Sequence, residues 1–547
     1  MISLLMPRQE VNDKCKVMPD YFADLNLDQV VSEMQVRNKE YDLKNLFYTY
    51  PDSERIVRFR QEVFRDIEST VMPGAFWDFS KAMRETRKQL EFWKKTGQEQ
   101  QKSVCFLGVV SEYMEGLFGL FEALSGAKLV SEGLTKVRDR LSELVTDKKM
   151  MSCRKKAEQL NQQLSELRFH MTLTDSQMTI ATGKKEVLYY DKLRFLFPKQ
   201  FETKKEGRLY ERYYLTSPFL ANERLGYLET EAVSVYKKLK PEFFKEVLEF
   251  AKTYEDVISE ELYELEQELQ FYLSYLSYQQ EMKKHGCTFC IPELTTDGAF
   301  QITEGYDIAL AWKNMWVAAE TVSNSVEYCE AEKFFVVTGP NQGGKTTFAR
   351  SIGQIVYFAM QGLPVPAKAA RLPYFNGLLT HFSAEESAES GRGKLKEELI
   401  RLGPMLKEKR KNCFVILNEL FTTAATYDAR IMGTRVLKHF ILQDCRGIYV
   451  THISELTQEI DGVVSLVAVA DGENHKRRTF RLERRPAEGT GYAADIVERH
   501  NLTYEDIVER LNRRLSEAGQ KPEETTEKSE KTGNGKAEGT ETEVAEG

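Results

Sequence analysis

The residues best suited to chemistry form a glycine-rich loop near the middle of the chain. Gly339–Thr346 reads GPNQGGKT and fits the spacing G-x-x-x-x-G-K-[ST], with an apolar strand before it and a helix after it. In such a loop the backbone N–H groups and the helix N-terminus surround a phosphate, the lysine reaches the β and γ phosphates, and the next hydroxyl ligates Mg²⁺. The sequence therefore predicts an ATP and Mg²⁺ site. Its expected nucleotide-binding residues are Gly339, Pro340, Asn341, Gln342, Gly343, Gly344, Lys345, Thr346 and Thr347, with Thr346 also a metal ligand.

Two further polar positions follow apolar strands. Phe414–Glu419 (FVILNE) ends in Asn418 and Glu419, which is a Walker B arrangement. Glu419 is the expected general base that polarises the attacking water. Asn418 stands where Asp usually supports the Mg²⁺ shell, so we expect weaker Mg²⁺ binding or slower turnover. His452 follows a third strand and is placed to reach the γ-phosphate or the water, although a histidine after a strand is commonly structural.

The elements that must position these residues alternate between strand and helix. Apolar strands are predicted at Phe334–Thr338, Cys413–Leu417 and Gly447–Thr451, with a helix at Phe348–Met360. Strands that alternate with helices predict a largely parallel sheet covered on both faces.

The preceding half of the chain is predominantly helical. Leu262, Leu269 and Leu276 repeat every seven residues, with Leu265 and Tyr272 in a second row. This pattern fits half of an antiparallel helix pair in an extended arm, or equally a long amphipathic helix packed on its own domain. The domains expected are a helical region (1–165), a small β-containing insert (166–225), a second helical segment (226–290), the α/β domain with C-terminal helices (291–515) and a disordered acidic tail (516–547).

At this point a family resemblance becomes specific. TGPNQGGKTTFAR (Thr338–Arg350) resembles the phosphate loop of the MutS family, including the Pro-Asn pair that most phosphate loops lack. Further matches follow in the family's order. They are QITEG at 301–305, VPAKAARLPYFNGLLT at 365–380, SGR at 390–392, TYD at 426–428, THISEL at 451–456 and the stretch from Tyr492 to Arg510.

The resemblance implies a fold and an assembly. The fold is an α/β P-loop (ABC-type) ATPase domain that follows a mainly helical lever and clamp region with a small β-containing insert. The assembly is a homodimer in which each nucleotide lies between one subunit's phosphate loop and the partner's signature helix. The family's signature serine falls on Gly393, whose N–H can still face a γ-phosphate. Lys394 adds charge there or is an ordinary surface lysine.

The resemblance also implies a function, a DNA-binding ATPase that engages duplex, mismatched or branched DNA as a clamp. The sequence departs from the family at Asn418 and at Phe421–Thr423, where the family has a glycine-rich loop. No Phe-x-Glu wedge occurs in the first 60 residues, so we expect a variant without the mismatch-reading domain. The alternative function is an ATP-gated protein-interaction module with slow hydrolysis.

The expected DNA contact is a local basic stretch, because the chain as a whole carries a net charge of −8. Lys184–Arg212 holds nine basic and five acidic residues with interleaved aromatics. A solvated hairpin rim explains this stretch equally well.

The remaining composition predicts a reduced, cytoplasmic protein. No stretch of about 18 uninterrupted apolar residues predicts a membrane span. Of eight cysteines only Cys287 and Cys290 are close together, and without a second Cys or His pair they favour buried thiols over a zinc site.

Overall fold

The computed structural model describes residues 3–7, 17–37, 39–69, 72–95, 99–166, 170–173, 178–181, 237–238, 240–329, 331–382, 393–407, 411–458, 460–470, 478–487 and 503–517. Several predicted features lie outside the described residues: the basic stretch 184–212, the segment 390–392, residues 492–502 and the tail from 518. The described residues of Met1–Val469 and Phe480–Glu488 form one compact unit, and those of Ala470–Thr479 and Gly489–Gly547 form another.

The first part of the chain is helical, as its periodicity predicts. Its helices are α1 (Asp20–Asp24), α2 (Leu27–Arg37), α3 (Lys44–Tyr48), α4 (Glu54–Glu68), α5 (Met72–Lys95), α6 (Glu99–Gly126), α7 (Glu132–Thr146) and α8 (Lys148–Glu166). In α7, Ser131 at the N-cap accepts a hydrogen bond from the N–H of Leu134, as a helix start requires. A short antiparallel hairpin, β1 (His170–Leu173) and β2 (Met178–Ala181), follows within the predicted β-containing insert.

Two helices precede the α/β region, α9 (Pro241–Thr253) and α10 (Glu260–Lys284). Helix α10 contacts α2, α3, α4 and α5. The residues of the seven-residue repeat and of its second row are buried, and so are Phe271, Leu273 and Tyr275 on other faces of the helix. A helix that is apolar and buried all round is a core helix. The structure thus agrees with the packed alternative for this segment and not with an extended arm.

A small mixed sheet comes next along the chain. Its strands are β3 (Glu293–Thr295), β4 (Phe300–Gly305), β5 (Asn324–Tyr328) and β7 (Ala369–Pro373), in the order β3-β7-β4-β5. Helix α11 (Ile308–Trp316) joins β4 to β5 and is capped by the Asp307 carboxylate, which accepts from the N–H of Leu310. Sequence analysis does not predict this sheet, since its pairs join residues up to about 80 positions apart.

The larger sheet has six strands in the order β12-β11-β6-β10-β9-β8. They are β6 (Phe334–Thr338), β8 (Leu378–Phe382), β9 (Phe414–Asn418), β10 (Arg446–Val450), β11 (Val463–Ala470) and β12 (Arg478–Arg484). The pairs β11–β6, β6–β10, β10–β9 and β9–β8 are parallel, as predicted. Strands β6 and β9 are buried throughout, which explains their continuous apolar sequences.

Three helices accompany this sheet: α12 (Lys345–Met360), α13 (Lys394–Lys407) and α14 (Thr426–Leu442). A short 3₁₀ helix at Ser454–Thr457 follows β10. Helix α12 contacts β9, β10 and β4 on one side and α4 on the other. It therefore lies between the strands and the N-terminal helices.

Helix α15 (Tyr504–Glu517) belongs to the second compact unit. Thr503 and Asp506 cap its start reciprocally, with the Thr503 hydroxyl donating to the Asp506 carboxylate and accepting from the Asp506 N–H. Tyr504, Ile507 and Leu511 are exposed. This helix occupies the end of the segment that resembles the family's terminal helices.

One described stretch, Lys102–Gly126 in α6, is long and apolar enough to cross a bilayer by length and composition. Of its most apolar window, 61% is buried within the molecule, which is the behaviour of a helix in a protein core.

Candidate nucleotide site

The loop between β6 and α12 has a backbone that requires its glycines. Gly339 and Gly344 have φ of 127° and 87°, in the region that disfavours side chains. A Cβ atom at Gly339 would lie 2.9 Å from the Ala468 nitrogen, and one at Gly343 would lie 2.9 Å from the Pro340 oxygen. The glycines thus allow a tight loop at the N-terminus of α12. A glycine-rich loop at a helix N-terminus fits a phosphate group.

Lys345 is held inside this loop. Its Nζ donates to the carbonyl oxygens of Gly339 and Pro340, both at 3.0 Å, and the side chain is buried. Asn341 and Gln342 lie on the exposed side of the same loop. A buried ammonium group next to helix N–H groups makes this position strongly favourable for an anion.

Thr346 and Asn418 meet across the end of the sheet. The Thr346 hydroxyl donates to Asn418 Oδ1 at 3.1 Å, which joins the first turn of α12 to the last residue of β9. Thr347, in the same turn, is half-buried. A hydroxyl and an amide oxygen are hard oxygen donors of the kind that Mg²⁺ prefers. These two residues therefore fit the predicted Mg²⁺ shell, with the amide in place of a carboxylate.

Glu419 and His452 form the second polar pair. His452 Nε2 lies 3.6 Å from Glu419 Oε1, and both side chains are partly exposed. Glu419 has φ of 55°, and its N–H donates to the carbonyl of Val450. This left-handed residue directly follows the last residue of β9, at the sheet edge where the phosphate loop begins.

The strand order explains why the phosphate loop, Asn418–Glu419 and His452 converge. Strand β10 lies between β6 and β9, with Val450 opposite Val337 on one side and Asn418 on the other. The carboxyl ends of three parallel strands therefore present the phosphate loop, Asn418–Glu419 and His452 side by side. Ligands of open α/β sheets bind at this edge.

The predicted signature positions lie at the start of α13. Gly393 is exposed, and its carbonyl accepts the N–H groups of Lys396 and Glu397 as the helix begins. The helix starts at Lys394, whose side chain lies outside the described part of the molecule. Their role toward a nucleotide on a second subunit stays a prediction.

Sequence analysis missed two residues beside the site. Glu398 of α13 is buried, and its Oε2 accepts the N–H of Phe421 at 3.0 Å. Phe480 of β12 has φ of 57°. Its ring packs over the phosphate loop, 3.3 Å from where a Cβ atom of residue 344 would lie. One signal does mark Glu398: it lies on the same helical stripe as the buried Leu402 and Met405, where a carboxylate is unusual.

The Cys287 and Cys290 thiols lie apart from this edge. Burial raises the pKa of both, to about 11 for Cys290, which disfavours the thiolate that metal binding needs.

The part of the chain that holds this site is similar in sequence to known proteins. Residues 335–494 match the model of MutS domain V. A DNA mismatch repair protein MutS of Petrotoga mobilis is 27% identical over 214 residues, which are 36% of this chain and 25% of that protein. The counterpart from Rickettsia prowazekii is 31% identical over 168 residues, 30% of this chain and 19% of that protein. The matches thus span between about a fifth and a quarter of the length of these relatives.

Proposed function

The chain belongs to the MutS family through its domain V, and on that premise we propose that it is an ATP-hydrolysing protein that binds DNA as a homodimer in the cytoplasm. The observation that carries the proposal is the convergence of the phosphate loop, the Thr346–Asn418 pair and the Glu419–His452 pair at one edge of a parallel sheet.

In this proposal each residue has one role. The loop amides and Lys345 hold the phosphates, and Thr346 with Asn418 holds Mg²⁺, which neutralises charge on the phosphate oxygens when bound. Glu419 accepts a proton from the attacking water, and His452 orients the water or senses the γ-phosphate. Phe480 offers a ring for the adenine to stack on. Gly393 and Lys394 complete the site of the partner subunit, so hydrolysis requires a dimer.

Two substitutions test the nucleotide chemistry. Lys345→Ala should abolish Mg²⁺-dependent ATP binding, measured with a fluorescent ATP analogue, while Lys368→Ala, which alters an exposed ion pair with Glu304, should not. Glu419→Gln should keep binding and lower turnover by roughly 100-fold or more. Glu455→Gln changes an exposed carboxylate near the same edge and serves as its control. Full turnover in Glu419→Gln would remove the proposed base.

The second candidate function is an ATP-gated protein-interaction module without DNA binding. Asn418 and the non-glycine loop at Phe421–Thr423 favour it, because both depart from the pattern that supports fast hydrolysis. Gel shifts with plain, mismatched and four-way DNA across a salt series discriminate between the two candidates. Phosphate contacts predict an affinity that falls steeply with salt. Absence of binding to all three DNAs at low salt would favour the second function.

A further inference from the structure

Helix α13 carries two charged side chains, one turn apart, that contact different parts of the molecule. Glu398 Oε2 accepts the N–H of Phe421 at 3.0 Å, in the loop that follows the proposed base. Arg401 Nη2 donates to Asp24 Oδ2 at 2.7 Å, at the end of α1. The same helix therefore contacts both the N-terminal helices and the loop Glu419–Thr423, called here the catalytic loop.

The loop that Glu398 holds is conformationally demanding. Glu419 and Phe421 have φ of 55° and 62°, a left-handed conformation that glycine adopts more easily than other residues. Phe421 is also 99% buried, so its ring is fixed in the core while its N–H is fixed by Glu398. A buried carboxylate needs hydrogen-bond donors to offset its lost hydration. The Glu398–Phe421 contact thus holds the chain two residues after Glu419.

The partner of Arg401, Asp24, is itself held by several hydrogen bonds. Asp24 is 91% buried, and its Oδ2 also accepts the Thr380 hydroxyl of β8 at 2.7 Å. Arg350 of α12 donates to the Asp24 carbonyl at 2.9 Å. Arg401 Nη1 donates to the Phe382 carbonyl at 2.7 Å. Asp24 is therefore a junction between α1, α12, α13 and the edge of the large sheet.

We propose that Glu398 is a positioning residue for Glu419, and that the Asp24–Arg401 pair sets the position of α13 and thereby the activity of the catalytic loop. A movement of the N-terminal helices then changes the turnover rate rather than nucleotide affinity. The proposal rests on the proposed function, since it takes Glu419 as the base. It adds a physical route by which the helical region controls hydrolysis.

Turnover and binding measured separately test the role of Glu398. Glu398→Ala should lower kcat by roughly 10- to 100-fold, the effect of a misplaced catalytic group, and leave the Kd for the ATP analogue within about twofold. Glu398→Gln keeps an oxygen that accepts the Phe421 N–H and should restore most of the rate. Glu397→Gln, the same change one position earlier on α13, should behave as wild type. Wild-type kcat in Glu398→Ala would overturn the proposal.

Hydrogen exchange at the Phe421 amide tests the link without relying on hydrolysis. Glu398→Ala should speed this exchange by roughly tenfold or more, because a hydrogen bond to a charged acceptor is lost. Asp24→Asn and Arg401→Met should also speed it, since both loosen α13. Unchanged exchange in these two variants would overturn the link to α1. If wild-type protein hydrolyses no ATP, the proposed function fails, while this exchange experiment still decides whether α13 holds the loop.

Discussion

At the scale of single residues, Asn418 is the most informative departure from the family pattern. Its amide oxygen accepts the Thr346 hydroxyl at 3.1 Å, where a carboxylate would add a negative charge beside Mg²⁺. Charge count among the ligands tunes divalent-cation affinity, so Asn418→Asp should lower the Mg²⁺ concentration for half-maximal ATP binding by roughly tenfold. A Mg²⁺ titration of analogue binding measures this. An unchanged Mg²⁺ requirement would contradict a place for Asn418 in the metal shell.

His381 of β8 makes a second residue-scale prediction, about pH. Burial first, and then the nearby Arg401 guanidinium, lowers the pKa of this imidazole below its ordinary 6.5. The unfolded chain therefore binds a proton at His381 more readily than the folded chain does. The contribution of His381 to the free energy of unfolding is fully present above pH 6.5 and is lost as the pH falls toward the lowered pKa. One linked proton gives a slope of at most about 1.4 kcal/mol per pH unit.

Urea unfolding between pH 5 and pH 7.5 measures this slope. His381→Leu replaces the ring with an apolar side chain that cannot titrate, so its free energy of unfolding should depend less on pH in that interval. Equal slopes in the variant and the wild type would assign the acid sensitivity to other groups.

The sequence predicts the motif residues because phosphate and Mg²⁺ accept few alternatives to glycine, lysine and a hydroxyl at fixed spacing. It also predicts that Asn418 and Glu419 end a buried strand; in the structure Asn418 is the last residue of β9 and Glu419 comes directly after it. The contact between Glu398 and Phe421 escapes such reasoning. The two residues are 23 positions apart and meet only because α13 packs against β8 and α14.

At the scale of elements, Gly447 of β10 lies too close to the neighbouring strand β9 to carry a side chain. A Cβ atom there would overlap the carbonyl oxygen of Val415 on β9. Gly447→Ala should therefore lower the free energy of unfolding by about 1–3 kcal/mol, as overpacking does. Chemical denaturation measures this change.

Gly119→Ala is the matched control for this prediction. Gly119 is exposed in helix α6, and a Cβ atom there would meet no neighbouring element within 4 Å. Alanine is more favourable than glycine in a helix interior, so the free energy of unfolding of this variant should rise by up to about 1 kcal/mol. If both variants were equally stable, close strand approach would not explain the glycine at 447.

Elements with strong local patterns are predictable from sequence, and those defined by distant partners are not. The apolar runs of β6 and β9 and the helix after the phosphate loop occur as expected, to within a few residues. The seven-residue repeat of α10 is visible in the sequence, yet the choice between an arm and a core helix depends on its neighbours. Helices α2, α3, α4 and α5 pack against α10 in the structure, which the repeat alone cannot reveal.

At the scale of the whole molecule, α12 joins the two halves of the first compact unit. Three polar side chains along one side of this helix donate to backbone carbonyls of the N-terminal helices. Arg350 donates to Asp24, Gln354 to Leu25 and Tyr357 to Phe47. Just after the helix, Gln361 donates to Thr49. These carbonyls lie at or next to the ends of α1 and α3, where helices leave acceptors unpaired.

These hydrogen bonds predict that the N-terminal helices and the large sheet unfold together. All four tryptophans lie at or before Trp316, so their fluorescence reports the part of the chain that precedes the large sheet. Cys413 and Cys445 are buried at the starts of β9 and β10, so their alkylation, quantified by mass spectrometry, reports opening of that sheet. The two probes should give the same urea midpoint.

Tyr357→Phe should shift both midpoints downward together. The variant removes the hydroxyl that donates to the Phe47 carbonyl at 2.6 Å and leaves that acceptor buried, at a cost of about 1–2 kcal/mol. Tyr504→Phe removes an exposed hydroxyl on α15 and should leave both midpoints unchanged. If only the tryptophan signal moved, the two halves would unfold independently. Movement of the N-terminal helices could then change the position of the loop after β9 only through the Asp24–Arg401 pair, because α12 would not couple the two halves.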